Sequence, residues 1–291
     1  MKKLPKKITI IGVGLIGGSI ALGLKNRFGD AVIMSGCCQS QNRAQKAKKL
    51  GIIDTVITLK TIPKDTELLV LATPVLTAAK LFGEIQPQIS SQCIVIDVGS
   101  TKEFICKIAA QKKFNRLRFI GTHPMAGSEC SGFECSDGHL FRNKAWIICP
   151  MEETDPGDIN TIQTLITSLG AKPIQMTPKL HDESVSLVSH LPLALASILA
   201  HLVTKDKTWK IGKQIASSGF RETTRLASFD PRLKTDILLT NKENTILALK
   251  KMKNEIDAFL CTLSRERKED VLTYLLSAKE QREKWITENF S

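Results

Sequence analysis

The chain has 291 residues, 42% hydrophobic and 24% charged, which is ordinary globular content at a length sufficient for two domains and excludes a repeat or low-complexity protein. A formal net charge of +12 suits an anionic ligand, but Lys and Arg are scattered with few aromatics among them, which argues against nucleic-acid binding. Eight cysteines without a C-x-x-C spacing argue against a zinc site, and we expect reduced structural thiols in a cytoplasmic protein that needs no metal.

The chain opens with a basic stub and an uncharged run from Ile8 to Leu24, the profile of a signal peptide or a membrane anchor. Five glycines break that run, and Gly12, Gly14 and Gly17 stand in G-x-G-x-x-G register around Leu15 and Ile16, directly after the β-branched stretch Ile8 to Ile11. Strand, tight turn and helix is the better reading. The first glycine permits the turn, the second lets backbone approach a pyrophosphate, and the third lets the helix pack on the strand. Outside this run, no segment reads as long and apolar enough to span a membrane, so no membrane partner is expected.

Strand-like runs follow at 31–36, 67–73, 93–99, 118–123, 145–150 and 172–177, alternating with helix-compatible segments at 41–50, 75–86, 102–113 and 157–169. This alternation predicts an α/β fold: a Rossmann-type, doubly wound, mainly parallel sheet over residues 1–177. From 178 to 291 the pattern is all helical, with helices predicted at 181–204, 208–218, 231–240, 243–263 and 266–289. Ile246, Leu249, Ile256, Phe259 and Leu263 are spaced for one buried face, and this apolar half is expected to bind substrate and form a dimer.

Ligands of open α/β sheets bind beyond the carboxyl ends of the strands. Three such ends carry small or reactive residues: Ala72-Thr73-Pro74, the stretch Asp97 to Lys102 containing Ser100, and Gly121 to Glu129 containing His123. At the second strand, where dinucleotide sites often place an acid for the ribose hydroxyls, the chain has Cys38. Nothing there repels a 2′-phosphate, and Ser40 and Arg43 could bind one, so NADP is expected ahead of NAD.

The motifs GVGLIGGS, DVGSTK, GTHPMAGSE with SGFE, LHDESVSLVSHLP and GFRETTRLASFDP, in this order, resemble the prephenate/arogenate dehydrogenases of tyrosine biosynthesis over nearly the whole chain. The resemblance implies a homodimer that oxidatively decarboxylates a cyclohexadienyl dicarboxylate, prephenate or arogenate. Hydride passes to NAD(P), and the product is 4-hydroxyphenylpyruvate or tyrosine. Ending at Ser291, the chain is expected to lack regulatory or mutase domains.

By this resemblance His123, alone among five histidines in lying in a Gly-flanked loop at a predicted strand end, is the base for the substrate hydroxyl; the bland alternative is a structural His. Ser100 matches the serine that hydrogen-bonds the same region, or it N-caps the helix at 102–113. Arg225 matches the arginine that clamps a substrate carboxylate, whereas a surface salt bridge is expected of Arg221. Ser189 and His190 are expected to face the cleft near Pro192, with a buried, backbone-satisfied His190 as the alternative. Glu129 and Asp182 are expected in gating or orienting ion pairs. Leu193 stands where some prephenate-using relatives have another His, which points to use of arogenate at least as well as prephenate. Two other readings remain: another two-domain β-hydroxyacid-type dehydrogenase relying on a catalytic Lys in the helical half, and a non-catalytic nucleotide-binding regulator.

Overall fold

The computed structural model describes residues 4–290 except 112–113, 115–116, 128–129 and 131. It packs as two units, Met1–Asn244 and Thr245–Ser291. The sheet and the helices from Pro178 to Thr240 therefore belong to the same unit.

The first unit runs β1 (Lys7–Ile11), α1 (Leu15–Phe28), β2 (Ile33–Cys37), α2 (Gln41–Lys49), β3 (Thr55–Val56), β4 (Leu68–Leu71), α3 (Val75–Ile85), β5 (Ile94–Asp97) and α4 (Glu103–Ala109). It continues with β6 (Arg118–Pro124), β7 (Ala145–Cys149), α5 (Pro156–Ser168) and β8 (Lys172–Gln175). The strand order is β3-β2-β1-β4-β5-β6-β7-β8, parallel except where β7 lies antiparallel to β6. The two-residue β3 has no apolar run of its own, and sequence reading passed over it. Strands buried on both faces are apolar throughout: in β4, Leu68 and Val70 enter one core with Ile8, Ile20 and Trp146, while Leu69 and Leu71 enter the other with Phe82, Val95 and Phe119. The chain leaves β1 in one direction toward β3 and returns on its other side at β4, so a topological switch point lies between the carboxyl ends of β1 and β4.

Beyond the sheet, α6 (Pro178–Val185) runs through a π turn at Ser186–His190 into α7 (Leu191–Lys205), and α8 (Trp209–Ile215), α9 (Ser218–Thr224) and α10 (Pro231–Thr240) follow. Pro192 explains the π turn: it has no N–H for the Val188 carbonyl, and the ladder is re-formed one residue wider, with Leu191 N bonding Ser186 O. The continuous 28-residue helix Pro178–Lys205 is by length and composition apolar enough to cross a membrane, contrary to expectation. Its buried His181, Asp182, Ser186 and His190 tie it into the site described below.

In the second unit α11 (Lys242–Ser264) and α12 (Lys268–Phe290) are held together by the Tyr274 hydroxyl, which donates to Glu255 at 2.8 Å, and by the Phe259–Tyr274 ring contact. Of the face expected to be buried, Ile246, Ile256 and Leu263 are each more than 40% exposed, while Leu249 and Phe259 are of intermediate burial. The thiol expectation also needs correction. Cys130 and Cys135 form a disulfide, their Cα atoms 6.2 Å apart and within bridging reach, while the other six cysteines are free.

Candidate active site

The glycine turn at the switch point has the geometry that its spacing predicted. Gly12 has φ +97°, and a Cβ there would lie 2.6 Å from the Ala72 carbonyl oxygen, so only glycine fits. A Cβ on Gly17 would meet the Gly12 carbonyl at 2.5 Å. Gly14 differs: it is the N-cap of α1, without a side-chain cap, and nothing lies within 4 Å of a Cβ built on it. The space before the first-turn N–H groups of Leu15 and Ile16 is thus open, with no acidic residue in that turn to repel an anion. Ala72, Thr73 and Pro74 at the end of β4 line the same cleft of about 660 Å³, and Thr73 Oγ1 is buried there without a hydrogen-bond partner among the described residues. This cradle fits the pyrophosphate of a dinucleotide.

At the end of β2, the half-buried Cys38 thiol is pushed up by burial and donates to the Val13 carbonyl at 3.6 Å. Ser40 N-caps α2, its Oγ accepting from Arg43 N at 3.3 Å. Arg43, which the sequence offered as a ligand for a 2′-phosphate, pairs with Glu134 at 3.3 Å.

Ser100, His123, Ser189, Leu193 and Arg225 line the same cleft, so the structure gathers five of the expected residues from β5, β6, the π turn, α7 and the 3₁₀ turn Arg225–Ser228. Arg221 lies exposed on α9. Glu129 lies outside the described residues.

Behind His123 stands a chain of which sequence reading named only Asp182, as an orienting group, and missed His181. Asp182 accepts from the backbone N–H groups of Lys102 at 2.8 Å and Glu103 at 2.9 Å, so it caps α4 from another helix. Ser100 therefore does not cap that helix, which has Lys102 at its N-cap position. The same carboxylate lies 2.7 Å from His181 Nδ1, and His181 Nε2 lies 2.9 Å from His123 Nδ1. Asp182 already accepts from two backbone N–H groups, and the tautomer of a neutral His181 that bonds it as well has its proton on Nδ1 and accepts at Nε2. His123 must then donate from Nδ1, which leaves its Nε2 as the bare nitrogen. Burial, then the neighbouring His181, Lys102 and His190, hold His123 well below the ordinary histidine pKa, so the ring is a neutral base. The signal available in the sequence was the adjacent His-Asp pair of LHDESV.

Around this chain Lys102 and Asp97 form an ion pair in which neither side chain is more than 1% exposed. Asp97 also accepts from Gly99 N at 2.9 Å and Thr122 N at 3.2 Å, joining the strand ends that carry Ser100 and His123. His190 takes the buried alternative rather than the cleft: it is 1% exposed, does not line the cleft wall, and has a side chain where backbone was expected, its Nδ1 lying 3.1 Å from the Asn241 amide. Burial lowers its pKa to about 4, and Asn241 bonds the Asp182 carbonyl as well at 2.7 Å.

Two family models match the chain: prephenate dehydrogenase, nucleotide-binding domain, over residues 20–175, and prephenate dehydrogenase, dimerization domain, over 177–277. A prephenate dehydrogenase of Bacillus subtilis is 33% identical over 287 residues, covering 97% of this chain and 77% of the relative. The crystal structure of prephenate dehydrogenase from A. aeolicus, in complex with hydroxyphenyl propionate and NAD+, superposes with a TM-score of 0.89 at 30% identity over 98% of this chain and 99% of that one. A Synechocystis arogenate dehydrogenase structure gives a TM-score of 0.81 at 28% identity over 96% and 99%.

Proposed function

The chain belongs to the prephenate dehydrogenase family, an NAD(P)-dependent oxidative decarboxylating enzyme, and from that premise we propose how its own residues divide the work on a cyclohexadienyl dicarboxylate. The observation that carries the reading is the Asp182–His181–His123 chain ending in a neutral imidazole on the wall of the cleft that begins at the glycine turn. When bound, the oxidised nicotinamide supplies the hydride acceptor. As the C4 hydrogen departs with its electron pair, the His123 Nε2 takes the hydroxyl proton, and the bond to the ring carboxylate breaks with its electrons entering the ring, releasing CO2 as the product becomes aromatic. Ser100 stands at the neighbouring strand end to hold the hydroxyl. Crossing prephenate and arogenate with NAD and NADP in an absorbance assay tests the reading; no turnover in any combination would overturn it.

Arg225 is the substrate clamp in this reading, since a guanidinium fork matches a carboxylate in two parallel bonds. Arg225→Ala should weaken substrate binding by about 1.5–3 kcal/mol, the range for a lost charge-assisted contact. A folded variant with an unchanged Michaelis constant would contradict the assignment.

Leu193 lies on the cleft wall at 9% exposure. It offers neither a donor for the pyruvyl oxygens of prephenate nor a charge that would repel the ammonium of arogenate, which supports use of arogenate at least as well as prephenate. Catalytic efficiencies measured for both substrates should move toward prephenate in Leu193→His. Strong prephenate selectivity in the wild type would refute the reading.

The bare end of β2 supports use of NADP beside NAD, but a preference for NADP has less support, because Glu134 already engages Arg43. The matched dimerization domain and the exposed apolar face of α11 support a homodimer. The two family models divide close to 177, which supports a nucleotide-binding part over 1–177 and a helical part over 178–291. The cofactor requirement supports a cytoplasmic location.

A further inference from the structure

The turn Phe133–Cys135 brings a carboxylate to the place where β2 lacks one. Glu134 Oε2 lies 3.3 Å from Arg43 Nη2, and the two charges act on the Cys38 thiol with opposite sign, so both stand beside the residue that occupies the usual acid position. The loop that presents Glu134 is built onto the cofactor turn. Ser136 Oγ donates to the carbonyls of Gly14 at 3.2 Å and Leu15 at 3.4 Å, and Asp137 N donates to Ser19 Oγ at 3.0 Å. Glycine at 18 permits the approach, since a Cβ there would fall 2.2 Å from Ser136 Oγ. Gly132, at φ +96°, leaves room for the pair itself: a Cβ on it would meet Glu134 Oε2 at 2.5 Å and Arg43 Nη2 at 2.9 Å. The Arg43 guanidinium lies 5.0 Å from the centroid of the buried Phe133 ring.

An ion pair whose side chains are 46% and 54% exposed adds little to the stability of the fold. Its position gives it another use. We propose that Glu134, held by Arg43, is the specificity residue for the adenosine ribose: it accepts from the ribose hydroxyls of NAD and excludes the 2′-phosphate of NADP. A 2′-phosphate would have to take Arg43 away from Glu134 and then sit beside an uncompensated carboxylate, whereas a ribose hydroxyl can donate to Glu134 with the pair intact. The acid that dinucleotide sites carry on the second strand is thus supplied from a different loop, 91 residues from Arg43 in the chain. This rests on the dinucleotide reading of the cleft.

Fluorescence titration of the full chain with NADH and NADPH tests both levels separately. The wild type should bind NADH more tightly. Glu134→Gln, which keeps the shape and removes the charge, should raise affinity for NADPH relative to NADH by about tenfold, the scale of one charge-assisted contact. Adding Arg43→Ala to that variant should abolish the gain, because the freed guanidinium is what holds the phosphate. Competition by 2′-AMP against AMP should follow the same order without any turnover. If both nucleotides bind but the ratio is unchanged in Glu134→Gln, or the wild type prefers NADPH, the specificity role is wrong. If neither nucleotide binds the wild type, the dinucleotide reading itself falls.

Discussion

Replacing His123 by Asn should lower kcat by about 10²–10⁴-fold while leaving cofactor affinity near the wild-type value, the range for loss of a positioned general base. His123 is 8% exposed at the end of β6, and its Nδ1 is committed to His181, so the ring has one free nitrogen and one orientation. Asn can keep the hydrogen bond to His181 but has no basic nitrogen, so the variant separates positioning from proton transfer. The pH profile supplies a second reading. Because burial holds the His123 pKa well below 6.5, the neutral, proton-accepting form persists as pH falls through the ordinary histidine range. The acid limb of kcat/KM should therefore lie below pH 6.5 and vanish in the variant. Retention of more than about a tenth of wild-type activity would remove His123 from the role of base.

What could be read from the sequence was whatever one stretch of chain carries by itself. The glycine turn and the strand ends bearing Ser100 and His123 are local features of the alternation of strands and helices, while the roles of Ser100, His123 and Arg225 came from motifs that resemble a family, each again a single short stretch. The groups that fix the site's electrostatics meet across long separations: Asp182 caps α4 from 80 residues away, and His181 meets His123 from 58. Periodicity does not encode such meetings. His190 shows a different failure. The sequence reads as one regular helix, but the π turn inserts an extra residue, and each residue in an α-helix advances the face by about 100°. Ser189 keeps its place on the cleft wall while His190 turns inward to Asn241. Glu134 was hidden because the ribose acid was sought on β2, where most such sites keep it.

Lys102→Met should destabilise the protein by roughly 3–5 kcal/mol, the range for removing one partner of a buried ion pair. The Asp97 carboxylate is 1% exposed, so with the ammonium gone its charge has no water to turn to. Burial already pushes the Asp97 carboxyl up, and Lys102 is the largest influence opposing that shift. The variant therefore has to keep an unpaired buried charge or take up a proton. Protonation is the lesser cost, but it weakens the acceptor that holds Gly99 N and Thr122 N, and with them the strand ends bearing Ser100 and His123. Loss of stability should accordingly be accompanied by loss of turnover even where the variant remains folded. Denaturant unfolding of Lys102→Met beside Lys102→Met/Asp97→Asn isolates the cause: the amide carries no charge and its one oxygen still accepts from one of the two backbone N–H groups, Gly99 N or Thr122 N, so the double variant should recover part of the loss. A single variant within about 1 kcal/mol of the wild type, or a double variant less stable than the single, would show that the charge of Asp97 is not what Lys102 balances.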